Sequence, residues 1–375
     1  MNEQDKIFLN ALNHTPSIGP QKIKRLLNAF TYPQEIWTTK NKELLEKTIG
    51  EKSTRELLQK RTTTNPGTLY EKLLKNEMAL LTPSDEQYPK DLTQTPDHPP
   101  ILYARGTHNP NTSPIIAVVG SRRHSHYGKN VTEQLSAQLA TSGITIASGM
   151  ALGIDAIAHI TALKNNTPTI AVLANGLDDN SIAPQSHRTL AKNIAKTGLL
   201  LSEYPPETTA HPSHFPARNR IVAGISLGVL VVEAAQKSGS LITPRLANEY
   251  GREVFAIPGP ITSPLSTGTN ALIKNGAKMV TCIRDILEEL LITQTRDEDT
   301  RKDNAEKITA QNSEEEEIII LIKNEIDPIH IDKIMARSRL ETAKIAETIV
   351  MLEMKGILKD IGGKNYILHT TLKKH

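Results

Sequence analysis

The chain has 375 residues, 44 Lys and Arg against 41 Asp and Glu, a formal net charge of +3, one cysteine and 3% aromatic residues. A single cysteine excludes an internal disulfide and points to a reducing compartment, the cytoplasm, while the small net charge excludes a nucleic-acid partner argued from bulk charge and leaves only a local basic cluster to bind one. No apolar run is long enough to span a bilayer, and Met1-Asn-Glu-Gln-Asp-Lys6 is not a secretory signal, so no membrane association is expected.

In chain order, residues 1–65 carry a helical pattern, clearest in Ile18-Gly-Pro-Gln-Lys-Ile-Lys-Arg-Leu-Leu27. A Gly-Pro turn opening an amphipathic basic helix reads in two ways. It is one half of a helix-hairpin-helix, a SAM-like arrangement offering backbone amides to a DNA phosphate, or a plain helix N-terminus with Pro in its first turn. Residues 66–113 hold Pro83, Pro89, Pro96, Pro99, Pro100 and Pro110 and predict an extended, turn-rich lead-in with Tyr88 and Tyr103 as packing anchors. Apolar, β-branched runs follow at Ile115–Val119, Ile144–Ala147, Thr169–Leu173, Gly228–Glu233 and Val254–Ile257, alternating with helical patterns such as Leu241–Tyr250. This alternation predicts an α/β fold, a Rossmann-like parallel sheet covered on both faces, as the core of a domain spanning 66–292. Thr293 to Ser313 is polar and reads as a linker. Residues 314–375 form a pattern of their own: helices at Ile318–Asn324, Ile331–Ala336 and Leu340–Lys355, then a β-like tail at Gly362–Leu368. Two short helices, a longer third and a terminal hairpin describe a winged helix. No internal repeat is present.

In an open parallel sheet the carboxyl ends of the strands gather along one edge, where ligands bind. Three turns leave such ends: Gly120-Ser-Arg-Arg123, Ser148-Gly-Met-Ala-Leu-Gly-Ile-Asp155 and Ser238-Gly-Ser-Leu-Ile-Thr243. Small residues there let backbone N–H groups approach an anion at a helix N-terminus. Between the second and third turns lies Phe215-Pro-Ala-Arg-Asn-Arg220. An aromatic face stacks on a base while arginine forks grip phosphate. The pattern predicts a crevice for a ligand carrying both phosphates and bases. Its predicted residues are Gly120, Ser121, Arg122, Ser148, Gly149, Phe215, Arg218, Asn219, Arg220, Ser238, Gly239 and Ser240. Asp155 would repel phosphate, so it is expected to cap its helix or to position Arg122 or Arg220. Glu203 and Glu233, at strand ends, are expected to orient arginines or to be satisfied structural carboxylates.

Other chemistry finds little support. Between Gly120 and Gly128-Lys129 the spacing is too long for a phosphate loop, Asn130 stands where a Mg²⁺-binding Ser or Thr belongs, and no Gly-x-Gly-x-x-Gly follows a strand. No ATP, NAD or other cofactor is expected. His124 with His126, and His211 with His214, are close pairs, yet zinc needs three or four ligands, so no metal is expected. No Gly-x-Ser-x-Gly elbow occurs and Cys282 has no recognisable His partner, so no catalytic residue is assigned.

The sequence resembles the DprA (Smf) family of DNA-processing proteins. The motifs are Val119-Gly-Ser-Arg122, Ser148–Asp155 followed by His159, Leu201-Ser-Glu-Tyr-Pro205, Phe215 to Gly224, Ser238–Thr243 and Gly251-Arg-Glu-Val-Phe-Ala-Ile-Pro-Gly259, in order through most of 114–292. The resemblance implies a non-catalytic protein that binds single-stranded DNA, forms a homodimer through its Rossmann domain and loads a RecA-type recombinase during transformation or recombination. It also implies that Arg122 binds phosphate, that Ser148 and Gly149 form the second turn, and that Phe215, Arg218, Asn219 and Arg220 hold base and backbone, with Ser238 to Ser240 as the third turn. Asp179 to His187 departs from the family pattern and is given no DNA contacts. The rival class is a Rossmann-like nucleotide phosphoribohydrolase. Those enzymes resemble Pro-Gly-Gly-x-Gly-Thr followed by a catalytic Glu, whereas Lys237 to Arg245 offers no acid after the turn to assist departure of a base.

Overall fold

The computed structural model describes residues 1–290, 313–323, 329–355, 357–360 and 362–368. They fall into two compact units, Met1–Gln294 and Thr295–His375.

The first unit opens with six helices: α1 (Glu3–Asn13), α2 (Pro20–Ala29), α3 (Pro33–Thr38), α4 (Lys42–Ile49), α5 (Glu51–Thr63) and α6 (Pro66–Lys75). Asparagine starts three of them: the side chains of Asn2, Asn41 and Asn65 accept from the backbone N–H groups of Asp5, Leu44 and Thr68, meeting donors that a helix leaves unpaired at its start. Gly19 caps α2, with Pro20 in the first turn and Ile23 and Leu26 buried. These helices share one core with the sheet, since Leu9, Leu12, Ile23 and Leu26 cluster with Tyr103, Ala171, Leu173 and Leu200.

Next come β1 (Ala79–Leu81), α7 (Lys90–Thr93), β2 (Leu102–Gly106), β3 (Ile115–Val119), α8 (His126–Thr141), β4 (Thr145–Ser148), α9 (Ile154–Lys164), β5 (Thr169–Leu173), α10 (Arg188–Thr197) and β6 (Leu199–Ser202). Then follow α11 (His214–Gly224), β7 (Gly228–Val231), α12 (Ile242–Glu249), β8 (Glu253–Ala256), α13 (Thr267–Lys274), β9 (Lys278–Met279) and α14 (Ile283–Glu289). The sheet order is β1-β2-β6-β5-β4-β3-β7-β8-β9. From β6 to β9 every pair is parallel, and β2 and β1 add an antiparallel edge. Period-two alternation covers both faces: Ala117 and Val119 pack with Ile221, Val222 and Ala223 of α11, while Ile116 and Val118 pack with Leu135 and Leu139 of α8 and Ala158 and Ala162 of α9.

The predicted strands at Ile115–Val119 and Thr169–Leu173 form as read; the one placed at Ile144–Ala147 begins a residue later. Strand β6 was not predicted because Leu199-Leu-Leu-Ser202 has no β-branched residue to mark it. Tyr103 is the buried anchor expected, and it also lies on β2.

In the second unit, α15 (Ser313–Lys323), β10 (Ile329–His330), α16 (Ile331–Arg337), α17 (Thr342–Met354), β11 (Leu358–Asp360) and β12 (Asn365–Leu368) form a winged helix with the antiparallel sheet β10-β12-β11. Ser313 opens α15; the rest of the predicted linker, 293–312, lies outside the described residues. The acidic start of α15 is tied into this unit. Buried Glu315 pairs with Lys355 at 2.6 Å, and Glu317 accepts from the Ser338 hydroxyl and the Arg339 N–H at 2.7 Å each.

Candidate nucleic-acid interface

Strand β3 lies between β4 and β7, with Ile116 opposite both Ile146 and Gly228, so the turns that leave these three strands emerge side by side. The order of crossovers reverses at β3 and β7, the switch point where open α/β sheets leave a crevice. Helix α11 closes it. The result is a cavity of about 790 Å³ lined by Gly120, Ser121, Arg122, Gly149, Phe215, Arg218, Asn219, Ser238, Gly239 and Ser240, with Arg123, Asp155, Thr243 and Leu265 among the others.

Two predicted residues are elsewhere. Ser148 is fully buried, and its hydroxyl donates to the Val118 carbonyl at 2.6 Å. Arg220 turns to the opposite side of α11, where it pairs with the buried carboxylate of Glu203 and donates to the Asp97 carbonyl at 2.6 Å. Glu203 thus orients an arginine as expected. Glu233 does not: it accepts from the Ser125 N–H at 2.9 Å and from the Ser125 hydroxyl, while that hydroxyl caps α8 by accepting from the Gly128 N–H at 3.0 Å.

Arg122 and Arg123 are exposed on the cavity rim. The Arg122 guanidinium carbon stands 5.2 Å from the centroid of the Phe215 ring, a cation–π distance. Neither arginine has a carboxylate partner among the described residues. Phe215 is half-buried and belongs to none of the apolar clusters of this unit, so packing does not account for it. The third turn is held by a 2.7 Å contact between the Ser238 and Ser240 hydroxyls. At Gly239 an added Cβ would meet nothing within 4 Å, which leaves its backbone open to close approach.

Arg218 lines the cavity but is built into it. Its guanidinium is buried and donates to the carbonyls of Gly149 and Val172. Burial pulls it down to about 10, opposed by the charge of Asp155. Asp155, also buried, accepts from the N–H groups of Gly149 at 3.1 Å and Ala151 at 3.3 Å. Burial raises its carboxyl, and Arg218 is the charge that opposes the rise most. Asp155 was expected to cap its helix or to position Arg122 or Arg220; its hydrogen-bond partners are instead the N–H groups of the second turn, and the charge that acts on it most is that of Arg218. Gly149 is required here, since a Cβ would sit 2.5 Å from Arg218 Nη2. Sequence reasoning did not single out Arg123, although its adjacency to Arg122 was the available signal.

Behind the second turn, His159 is fully buried, with Nδ1 2.8 Å from the Thr169 hydroxyl. Burial depresses it to about 3. In the unfolded chain it titrates near 6.5, so the unfolded state takes up a proton that the folded state refuses and stability falls as pH drops below that value. This side chain alone is expected to remove about 2 kcal/mol between pH 6.5 and 5. Denaturant titrations at pH 7 and pH 5 check this: His159→Gln should lose less stability over that interval than the parent, and an equal loss would contradict it.

The divergent loop is occupied structurally, with Asp179 pairing with Arg105 at 2.7 Å and Lys192 at 3.0 Å. Among the described residues no group of three or more His, Cys, Asp or Glu could hold a metal ion, and no helix is long and apolar enough to cross a membrane.

Residues 79–291 match the family described as DNA recombination-mediator protein A, and residues 304–364 match the DprA winged helix domain. Protein Smf of Synechocystis is 32% identical over 397 residues, covering 98% of this chain and 99% of that protein. The crystal structure of DNA processing protein A from Streptococcus pneumoniae is 35% identical with a TM-score of 0.66, over 76% of this chain and 97% of that one. The DNA processing protein A structure from Helicobacter pylori, described for its single-stranded DNA binding mode, is 34% identical with a TM-score of 0.52, over 57% of this chain and 96% of that one. With a sheet unit and a winged helix that both match, and a relative aligned along nearly its whole length, this chain belongs to the DprA (Smf) family of DNA recombination-mediator proteins.

Proposed function

We propose that this protein binds single-stranded DNA in the cavity between the three turns and α11, without ATP, metal or catalysis, and hands the protected strand to a RecA-type recombinase in the cytoplasm during transformation or recombination. The observation that carries the reading is Arg122, exposed and without a carboxylate partner among the described residues, above the half-buried ring of Phe215. The guanidinium suits a phosphate and the ring a base of any identity. Arg123 beside it, the open backbone at Gly239, and the side chains of Ser240 and Asn219 that line the cavity supply further phosphate and sugar contacts. The likeness to the Helicobacter pylori protein supports the same ligand, and the family's description as a recombination mediator supports a recombinase partner. A homodimer through this unit is part of the proposal: β9 has one strand neighbour among the described residues, Met279 on it is half exposed, and Ile261 is 92% exposed.

The phosphoribohydrolase reading is not favoured. Among the described residues the one carboxylate lining the cavity, Asp155, is buried and bonded to backbone N–H groups, so none of them presents an acid to a glycosidic bond. The test is affinity for single-stranded and duplex oligonucleotides across salt. Single strands should bind more tightly, without nucleotide, and the logarithm of affinity should fall with log salt by about 0.7 for each phosphate contact. Equal affinity for duplex, dependence on ATP, or release of base from a nucleoside monophosphate would contradict the reading.

A further inference from the structure

Helix α11 has two working sides. Phe215, Arg218 and Asn219 face the cavity described above, while His214, Ala217 and Arg220 line a second one of about 710 Å³. The second cavity is closed by the turn between α1 and α2, including Thr15 and Gly19, and by Tyr204 to Thr208 after β6. Neighbouring helical residues are rotated by about 100° with Cα atoms about 3.8 Å apart. His214 and Phe215 therefore send their rings to different sides of one turn.

The His214 ring is stacked on Tyr204, with centroids 4.0 Å apart and planes 21° from parallel. His211 adds a third ring 5.6 Å from His214. Tyr204 and His214 are half-buried, His211 is exposed, and none belongs to an apolar cluster of this unit. With Phe215, four rings surround the first turn of α11 in a chain with few aromatics. The carboxylates on this side are engaged: Glu203 by Arg220, Glu207 by Lys72, and Asp97 by the Tyr250 hydroxyl at 2.7 Å. Lys24 lies near enough to Arg220, Asp97 and Glu203 to feel their charges. A polyanionic strand would thus meet no carboxylate without a partner here.

We infer that the Tyr204–His214 pair is a second base-stacking subsite, taking a base of the same single strand as it leaves Phe215 and crosses the first turn of α11. The inference rests on the proposed function above, and its ligand class is a single-stranded polynucleotide read without sequence preference, because every base has a stacking face. It is tested with oligothymidylates of about 4 and about 12 nucleotides. Tyr204→Ala and His214→Ala should each weaken binding of the longer strand about tenfold, the lower part of the range for losing one stacked base. They should leave the short strand unaffected, and Tyr204→Phe should restore the parent affinity. Arg122→Ala should weaken both lengths. Circular dichroism confirms that each variant is folded, and quenching of 2-aminopurine placed along the longer strand reports stacking directly in the parent and in Tyr204→Phe. Unchanged affinity for the longer strand in folded Tyr204→Ala and His214→Ala, or an equal loss on both lengths, overturns the second subsite alone. If Arg122→Ala changes neither length, the proposed function itself fails.

Discussion

Replacing Arg122 and Arg123 together by Ala is expected to lower single-strand affinity roughly a hundredfold or more, as two charge-assisted contacts should, without changing the thermal midpoint. Both side chains are exposed and neither has a carboxylate partner among the described residues, so their loss removes no native charge pair. Gly239→Val is the companion variant. An added Cβ there meets nothing within 4 Å, which predicts a folded protein whose ligand can no longer approach the third turn. Fluorescence anisotropy with a labelled oligonucleotide, run beside circular dichroism, checks both. Folded variants that bind as the parent does would remove the rim and the third turn from the site.

Arg218→Ala is expected to act on the fold. The side chain lies 4% exposed, donates to the Gly149 and Val172 carbonyls, and supplies the opposing charge for buried Asp155. Removing it leaves two buried carbonyls without their donor, at a cost of about 1–3 kcal/mol each. Gly149→Val should be comparably damaging, because its side chain would overlap the guanidinium. Urea titration measures the effect as a lower midpoint with unchanged slope. A midpoint equal to the parent's, with affinity lost, would restore Arg218 to the role of a free phosphate ligand that its sequence context suggests.

That contrast shows what was legible in the residues and what was not. The turns after Val119, Ser148 and Val231 could be placed on one crevice because apolar β-branched runs mark parallel strands, and parallel strands put their carboxyl ends together. Phe215 could be read as a base platform because it stands beside two arginines in a chain with few aromatics. Arg218 and Arg220 looked equivalent in sequence. Two positions on a helix differ by about 200° in facing, and only the partners of each, Gly149 and Val172 on one side and Glu203 on the other, separate a buried brace from a second cavity. Strand β6 was hidden for a different reason: its three leucines suit helix as well as strand. At the acidic start of α15, Glu315 and Glu317 find partners 20 or more residues away, a pairing that periodicity does not encode.

Photo-crosslinking locates the bound strand on the protein. An oligonucleotide carrying 5-iododeoxyuridine is bound to the full chain, irradiated and digested, and the adducts are located by mass spectrometry. Adducts are expected on Phe215, with Tyr204 or His214 labelled as well on longer strands, and the Phe215 adduct should be lost when Arg122 and Arg123 are replaced by Ala. Adducts confined to the winged helix, or to surfaces away from α11, would contradict binding of the strand at α11.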